Sequence, residues 1–287
     1  MKKLIISSAL GLLLACTKAP AQKQKFTEHI SKNFQVASTQ TLEIYNVSGF
    51  IKVEGYDGNK VQLEIDKTIS ARNQADLEKG KEEFQLDFSQ SPEGLMAYIP
   101  QPYDSRPNIR HNDWETRKQI DYRYHLDYTI KVPRGMNLTL VTVNDGDIGV
   151  RNMLGKLEIR NVNGAITLEK VAGTTLARTV NGDVDINYIT NPSQDSEYYT
   201  LNGDLNISYP ASLSADCEYK SYNGELFTDF PEVKMLPAKV TKNENWDSGS
   251  TKYKLNSSSS FRIGNGGKRL HFETFNGNIY IKKLTES

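Results

Sequence analysis

The sequence predicts an all-β chain, a β-solenoid preceded by an N-terminal cap that holds one short helix. Three observations lead there. A Thr/Ser/Asn-apolar-Asn-Gly motif recurs as Thr142-Val143-Asn144-Asp145-Gly146, Asn161-Val162-Asn163-Gly164, Thr179-Val180-Asn181-Gly182, Thr200-Leu201-Asn202-Gly203, Ser221-Tyr222-Asn223-Gly224 and Thr274-Phe275-Asn276-Gly277. Period-2 apolar alternation follows each copy, as in Ile166/Leu168, Val184/Ile186, Leu205/Ile207 and Ile279/Ile281, which is the pattern of a strand. The same polar residues recur at the same place in every copy. Stacked coils bring equivalent side chains within about 4.8 Å, where Asn and Thr can bond from coil to coil. An antiparallel meander or sandwich, the alternative, makes no such demand on successive turns. The motif glycines lie 18, 18, 21, 21 and 53 residues apart, so one unit is one coil of about 20 residues.

Taken from the N-terminus, the first segment is a leader and stands outside the fold. Lys2 and Lys3 precede a short apolar run from Leu4 to Leu14, too short for a membrane-spanning helix, which needs about 20 residues. Leu13-Leu14-Ala15-Cys16 resembles a bacterial lipobox, which implies removal of residues 1–15, lipidation of Cys16 and attachment to a membrane. Residues 16–25 then read as the lipidated tether. No acidic residue follows Cys16 closely. By resemblance to lipoprotein sorting, this points to the outer membrane, its periplasmic face first and the cell surface second.

Residues 26–132 read as first rungs and cap. Tyr45-Asn46-Val47-Ser48-Gly49 looks like an outlying copy of the motif. Ser70 to Phe84 is the helix, with Gly80 weakening its end. Phe84–Phe88 and Leu95–Ile99 form a hairpin about Ser91-Pro92-Glu93-Gly94. Gln119 to Val132 alternates over unusual length, with Tyr122, Tyr124, Leu126, Tyr128 and Ile130 on one face. Residues 133–287 carry the repeats, with Gly155 and Gly173 marking a second corner and an irregular insertion at 231–260. Another irregular stretch covers Pro100 to Lys118.

Val132-Pro133-Arg134-Gly135, Gly155-Lys156-Leu157-Glu158-Ile159, Thr179-Val180-Asn181-Gly182-Asp183-Val184 and the closing Thr274-Phe275-Asn276-Gly277-Asn278-Ile279 make the chain similar to a known group. Over residues 40–285 it resembles the uncharacterised β-strand-repeat bacterial envelope lipoproteins allied to the autotransporter-adhesin head domain. The resemblance implies a right-handed single-stranded β-helix whose last coil is the closing motif. It brings no functional residues with it.

Composition and motifs narrow the function. Thirty-five Lys and Arg balance 35 Asp and Glu, so no basic excess serves nucleic acid. With Cys16 lipidated, Cys217 has no disulfide partner and reads as a small buried residue. Asp183, Asp204 and Glu225 follow Asn-Gly in one column. The first two would sit about 5 Å apart, close to the carboxylate separation of a retaining glycosidase. Any ladder gives that spacing, and no nucleophile with its base is evident. Asp183, Asp185 and Asp204 lack the six to eight oxygens that Ca²⁺ takes. His29, His111, His125 and His271 have no metal-ligand spacing, and Gly264-Asn265-Gly266-Gly267 lacks the strand–loop–helix setting of a phosphate cradle. The expectation is a non-catalytic, adhesive or structural envelope protein without cofactor or metal. A β-helix polysaccharide lyase or hydrolase using the acidic column is the alternative. Partners, an envelope protein or a glycan, are expected at the insertions, through Tyr103, Arg106, Trp114, Trp246 and Tyr253, because loops cost a solenoid little and aromatic and Arg side chains anchor ligands.

Overall fold

A computed structural model describes residues 23–102, 104–107, 120–237, 240–245, 250–255 and 259–284. The leader and Cys16 lie outside the described residues. Two sheets face each other and are built mostly of parallel strands, with one strand of each coil in each sheet. In coil 175–188, for example, Thr175–Arg178 lies in one sheet, the corner 179–183 turns the chain, and Val184–Tyr188 lies in the other. Parallel pairing is in register from coil to coil. Ile166 faces Val184, Val184 faces Leu205, and Leu205 faces Ile279. The β-solenoid expectation therefore holds.

Eight coils stack, in an order that differs from chain order at both ends. From one end to the other they are 94–133, 41–56, 137–151, 157–171, 175–188, 196–209, 268–283 and 215–228. The closing coil is thus not the last. Lys268–Asn276 lies between Ser196–Asn202 and Ala215–Asn223, parallel to both, and Ile279–Lys283 likewise separates Leu205–Tyr209 from Leu226–Thr228. To enter that slot the chain first pairs Ser259–Ile263 antiparallel to the outer side of Ala215–Asn223, then crosses to its inner side. Gly264-Asn265-Gly266-Gly267 makes the crossing, with Gly264 at φ +57° and Gly266 at φ +78°, and Ser214 Oγ donates to the Gly266 carbonyl at 2.8 Å. This accounts for the Gly-rich element.

Residues 231–260 are not irregular where described. Val233–Leu236 pairs antiparallel with Ser259–Ile263, and Val240–Asn245 pairs with Ser250–Leu255. The opposite end is capped by the long antiparallel pair Gln24–Gln35 and Lys60–Ala71, which continues the sheet beyond Tyr122–Pro133. Gln85–Gln90 closes the other sheet as a hairpin with Gly94–Gln101. The helix runs Gln74–Glu83, and the Asn73 side chain accepts from the Asp76 amide to cap it. Gly80 has a packing reason. A Cβ there would stand 2.7 Å from the Tyr122 ring.

Inward side chains form columns along the stack. One runs Ile51, Ile148, Ile166, Val184, Leu205, Ile279, all buried. The facing sheet has Leu42, Leu138 and Leu157, then Thr175 and Ser196, then Leu270 and Cys217. The polar interruption matches a buried tyrosine network. Tyr188 and Tyr209 stack at 5.0 Å, and each hydroxyl meets the Tyr198 hydroxyl at 2.9 Å. Three large rings thereby fill the core without stranding their polar ends. Cys217 is 1 % exposed, and burial pushes its thiol up to about 12, so it is the inert core residue its alternating run suggested.

Candidate functional site

The corner that carries the repeated motif concentrates nearly all of the sequence's repeated polar chemistry. Its first column bonds to backbone. The hydroxyls of Thr142, Thr179, Thr200 and Thr274 donate to the carbonyls of Gly49, Gly164, Gly182 and Gly203 in the neighbouring coil, at 2.8–3.1 Å. Asn161 serves the same purpose with its amide on Gly146, and Ser221 with its hydroxyl on Gly277. The second column is an unbroken amide ladder. Asn163 donates to Asn144, Asn181 to Asn163, Asn202 to Asn181, Asn276 to Asn202 and Asn223 to Asn276, at 2.7–3.0 Å.

The third column is the acidic one. Asp147 accepts from the Ala165 amide, Asp183 from Asp204, Asp204 from Asn278, and the Asn278 side chain from Glu225, all at 2.7–3.0 Å. Each carboxylate thus has one oxygen committed to the next coil's backbone. Positive φ falls on glycine at corners such as Gly182 and Gly203, and on Asp145 in the corner that has one residue more, and the Asn residues pair coil to coil as β-bridges. The Asn-Gly pairs are therefore corners of a stack and not hairpin turns, because the following strand runs in the other sheet. Asp185 lies partly buried on the outer sheet face, bonded to Asn206. Its carboxyl is raised chiefly by burial, with the nearby Asp183 and Asp204 charges adding to it. Among the described residues, no group of three His, Cys, Asp or Glu is placed to hold a metal.

At its far end the amide ladder changes chemistry, and this escaped sequence reasoning. Ser48 takes the Asn position, bridged to Asn144, and His125 stands beside it in the next coil. Ser48 Oγ lies 3.1 Å from His125 Nδ1, and His125 Nε2 lies 3.0 Å from Asp127 Oδ1. The order Ser–His–Asp invites comparison with a hydrolytic triad, which also needs donors for an oxyanion. The nearby amides are already engaged. Gly49 N–H donates to Asn144 O, and Phe50 N–H to the same Asp127 oxygen. Asp127 is thus a member of the acidic column, and the constellation continues the ladders. No sequence signal could have joined residues 77 apart.

Of the residues expected to bind partners, Arg106 is placed and is engaged internally. Its guanidinium meets Asp104 at 2.5 Å and lies 4.2 Å over the Tyr98 ring. Tyr103, Trp114 and Trp246 lie outside the described residues. Tyr253 falls on Ser250–Leu255, whose side chains also lie outside them.

Comparison with known proteins places the chain at the level of family. No curated protein matches the sequence. Among solved structures, a "putative cell adhesion protein" from Clostridium sporogenes superposes with a TM-score of 0.44 at 10 % identity, covering 90 % of this chain and 100 % of that one. A "putative adhesin" from Bacteroides fragilis gives 0.39 at 11 %, over 90 % and 97 %. A "putative lipid binding protein" from Parabacteroides distasonis gives 0.31 at 10 %, over 90 % and 97 %. The family model described as Toastrack DUF4097 matches residues 127–281, more than half of the chain and six of the eight coils. The chain belongs to the Toastrack DUF4097 family.

Proposed function

We propose that the protein is a lipid-anchored envelope protein with a non-catalytic structural, adhesive or binding role, held at the outer membrane through Cys16. The observation that carries the non-catalytic part is the use of the acidic column. Asp183 and Asp204 each commit an oxygen to the amide of the next coil, so their spacing is that of a ladder and follows from stacking. A hydrolase would need these acids free to exchange protons with a bound sugar. Membrane attachment rests on the sequence, on the charged start, the short apolar run and Leu13-Leu14-Ala15-Cys16. The insertions with Tyr103, Trp114, Trp246 and Tyr253 supply the partner surface in this reading, for an envelope protein or a glycan. Arg106 helps to hold the first of them through Asp104 and Tyr98.

The test combines fractionation with a glycan assay. Cells making the wild-type chain should incorporate labelled fatty acid at Cys16 and keep the protein with membranes, and Cys16→Ser should lose the label and be released. Purified protein incubated with envelope polysaccharides should release no reducing ends. Membrane retention of Cys16→Ser, or glycan cleavage that disappears in Asp183→Asn, would overturn the corresponding half of the proposal.

A further inference from the structure

The capped end of the stack carries an unassigned cationic groove. Beyond coil 94–133 the sheet continues as two antiparallel strands, and pairing places Lys25, Ser70 and Arg123 in one row across them and the coil's own Tyr122–Pro133. The next row on the same face is Thr27, Thr68 and His125. The corner residues Ser48 and Asp145 rise beside these rows, and the space between them is an open groove of about 760 Å³. Lys23, Lys25, Arg123, Ser70, Ser48 and His125 all line it. A second hollow shares Lys23, Ser70 and Arg123 and adds Arg72.

The charge balance in this region is one-sided. Lys23, Lys25, Arg72 and Arg123 form no ion pair among the described residues. Of the acids that line the two hollows, Asp121 faces Lys79 at 3.5 Å, while Asp76 and Asp145 accept only from the neutral Asn73 and Ser48 side chains. Among the described residues, four cations thus stand against two carboxylates that have no cationic partner of their own. Elsewhere on the chain most Arg side chains have a carboxylate partner, as Arg134, Arg151, Arg178 and Arg262 do. Four unpaired cations with hydroxyl donors between them are suited to an oxyanion such as a phosphate group.

Position selects the source of that phosphate. The described chain begins at Lys23, in the groove itself, and Cys16 precedes it by only seven residues. Seven residues span at most about 25 Å even when fully extended. If Cys16 carries the lipid, the groove therefore lies within that distance of the bilayer surface. We propose that this groove docks on the phosphate headgroups of anionic phospholipids in the anchoring membrane, holding the solenoid in a fixed orientation with its capped end down. The proposal rests on the anchor reading for its choice of ligand.

The test uses the mature polypeptide from Thr17 onward without its acyl group, which retains every described residue. Sedimentation with vesicles should show binding when phosphatidylglycerol is present and none with phosphatidylcholine alone. Near an anionic surface each Lys or Arg is worth roughly a fivefold change in affinity, so Lys25→Gln/Arg72→Gln/Arg123→Gln should weaken binding about a hundredfold. The charge-matched Lys52→Gln/Lys131→Gln/Lys282→Gln, exposed on the same outer sheet face but outside the groove, should weaken it less than fivefold. Equal losses in the two variants would mean that net charge and not the groove is read, and would overturn the proposal. So would inorganic phosphate or a soluble polyuronate occupying the groove while vesicles are ignored. Absence of acyl label on Cys16 with vesicle binding intact would defeat the anchor reading alone, because the assay contains no acyl chain.

Discussion

Replacing Gly182 by Val is expected to cost about 3–5 kcal/mol of stability, combining backbone strain with overpacking at a site that cannot yield. Gly182 has φ +151°, which L side chains rarely adopt, and a Cβ there would stand 2.4 Å from the Gly164 carbonyl oxygen. Relief would require the coils to separate. The Gly182 amide donates to Asn202 O at 3.0 Å, its carbonyl accepts from Thr200 at 2.8 Å, and Asn181 joins the amide ladder on both sides. Moving one coil therefore breaks several bonds at once. Gly149 makes the internal control. It lies in a strand, and the nearest atom to a Cβ there is Lys52 Cγ at 4.0 Å. Gly149→Ala should be neutral or stabilising by up to about 1 kcal/mol, since it mainly restricts the unfolded chain. Urea unfolding of the two variants decides the matter, and a Gly182→Val protein as stable as wild type would contradict the stacked corner.

Phe272→Ala is expected to cost a comparable 3–5 kcal/mol, the usual loss for a large ring removed from a rigid core. Phe272 has no exposure, stacks on Tyr198 at 5.0 Å, and is paired with Tyr198 on one side and Tyr219 on the other. A residue on the last coil of a stack would have a neighbour on one side only. Phe275, three residues on, lies on the corner with 41 % exposure against Tyr222. Phe275→Ala should cost under about 1 kcal/mol, in the range of surface changes. Unfolding midpoints for the two variants should therefore differ widely. Similar midpoints would place Phe272 at an open end.

Much of this design was legible before any coordinates. A solenoid writes its columns directly into the sequence, because each coil must present the same residue to the same neighbour. The Thr, Asn and Asp columns and the second corner at Gly155 and Gly173 follow from that, and a Cβ at Gly173 would stand 1.6 Å from the Gly155 carbonyl oxygen. Order along the stack was not legible. The motif Thr274-Phe275-Asn276-Gly277 fits any slot equally well, and the strand Ser259–Ile263 that routes the chain into its slot is set in a Ser-rich run with weak alternation. The strands of 231–260 were missed for a related reason. Val233–Leu236 is an edge strand with Val233 and Met235 exposed, so no buried face imposes a pattern on it. The cationic groove was also hidden, since Lys25, Arg72 and Arg123 meet only through the antiparallel pairing of three strands far apart in the sequence.

The most direct test of the stack and its inserted coil is a pair of disulfide traps on the amide ladder. Adjacent coils stand about 4.8 Å apart, within the Cα separation that a disulfide accepts, whereas next-nearest coils stand roughly 9.6 Å apart, beyond it. Cys217 is buried and does not compete. Asn202 is paired with Asn276, and Asn276 in turn with Asn223. Under mild oxidation Asn202→Cys/Asn276→Cys should cross-link fully in the folded protein, and Asn202→Cys/Asn223→Cys should remain reduced. Cross-linking of the second pair and not the first would show that these coils stack in chain order, and would contradict the insertion of the closing coil between its neighbours.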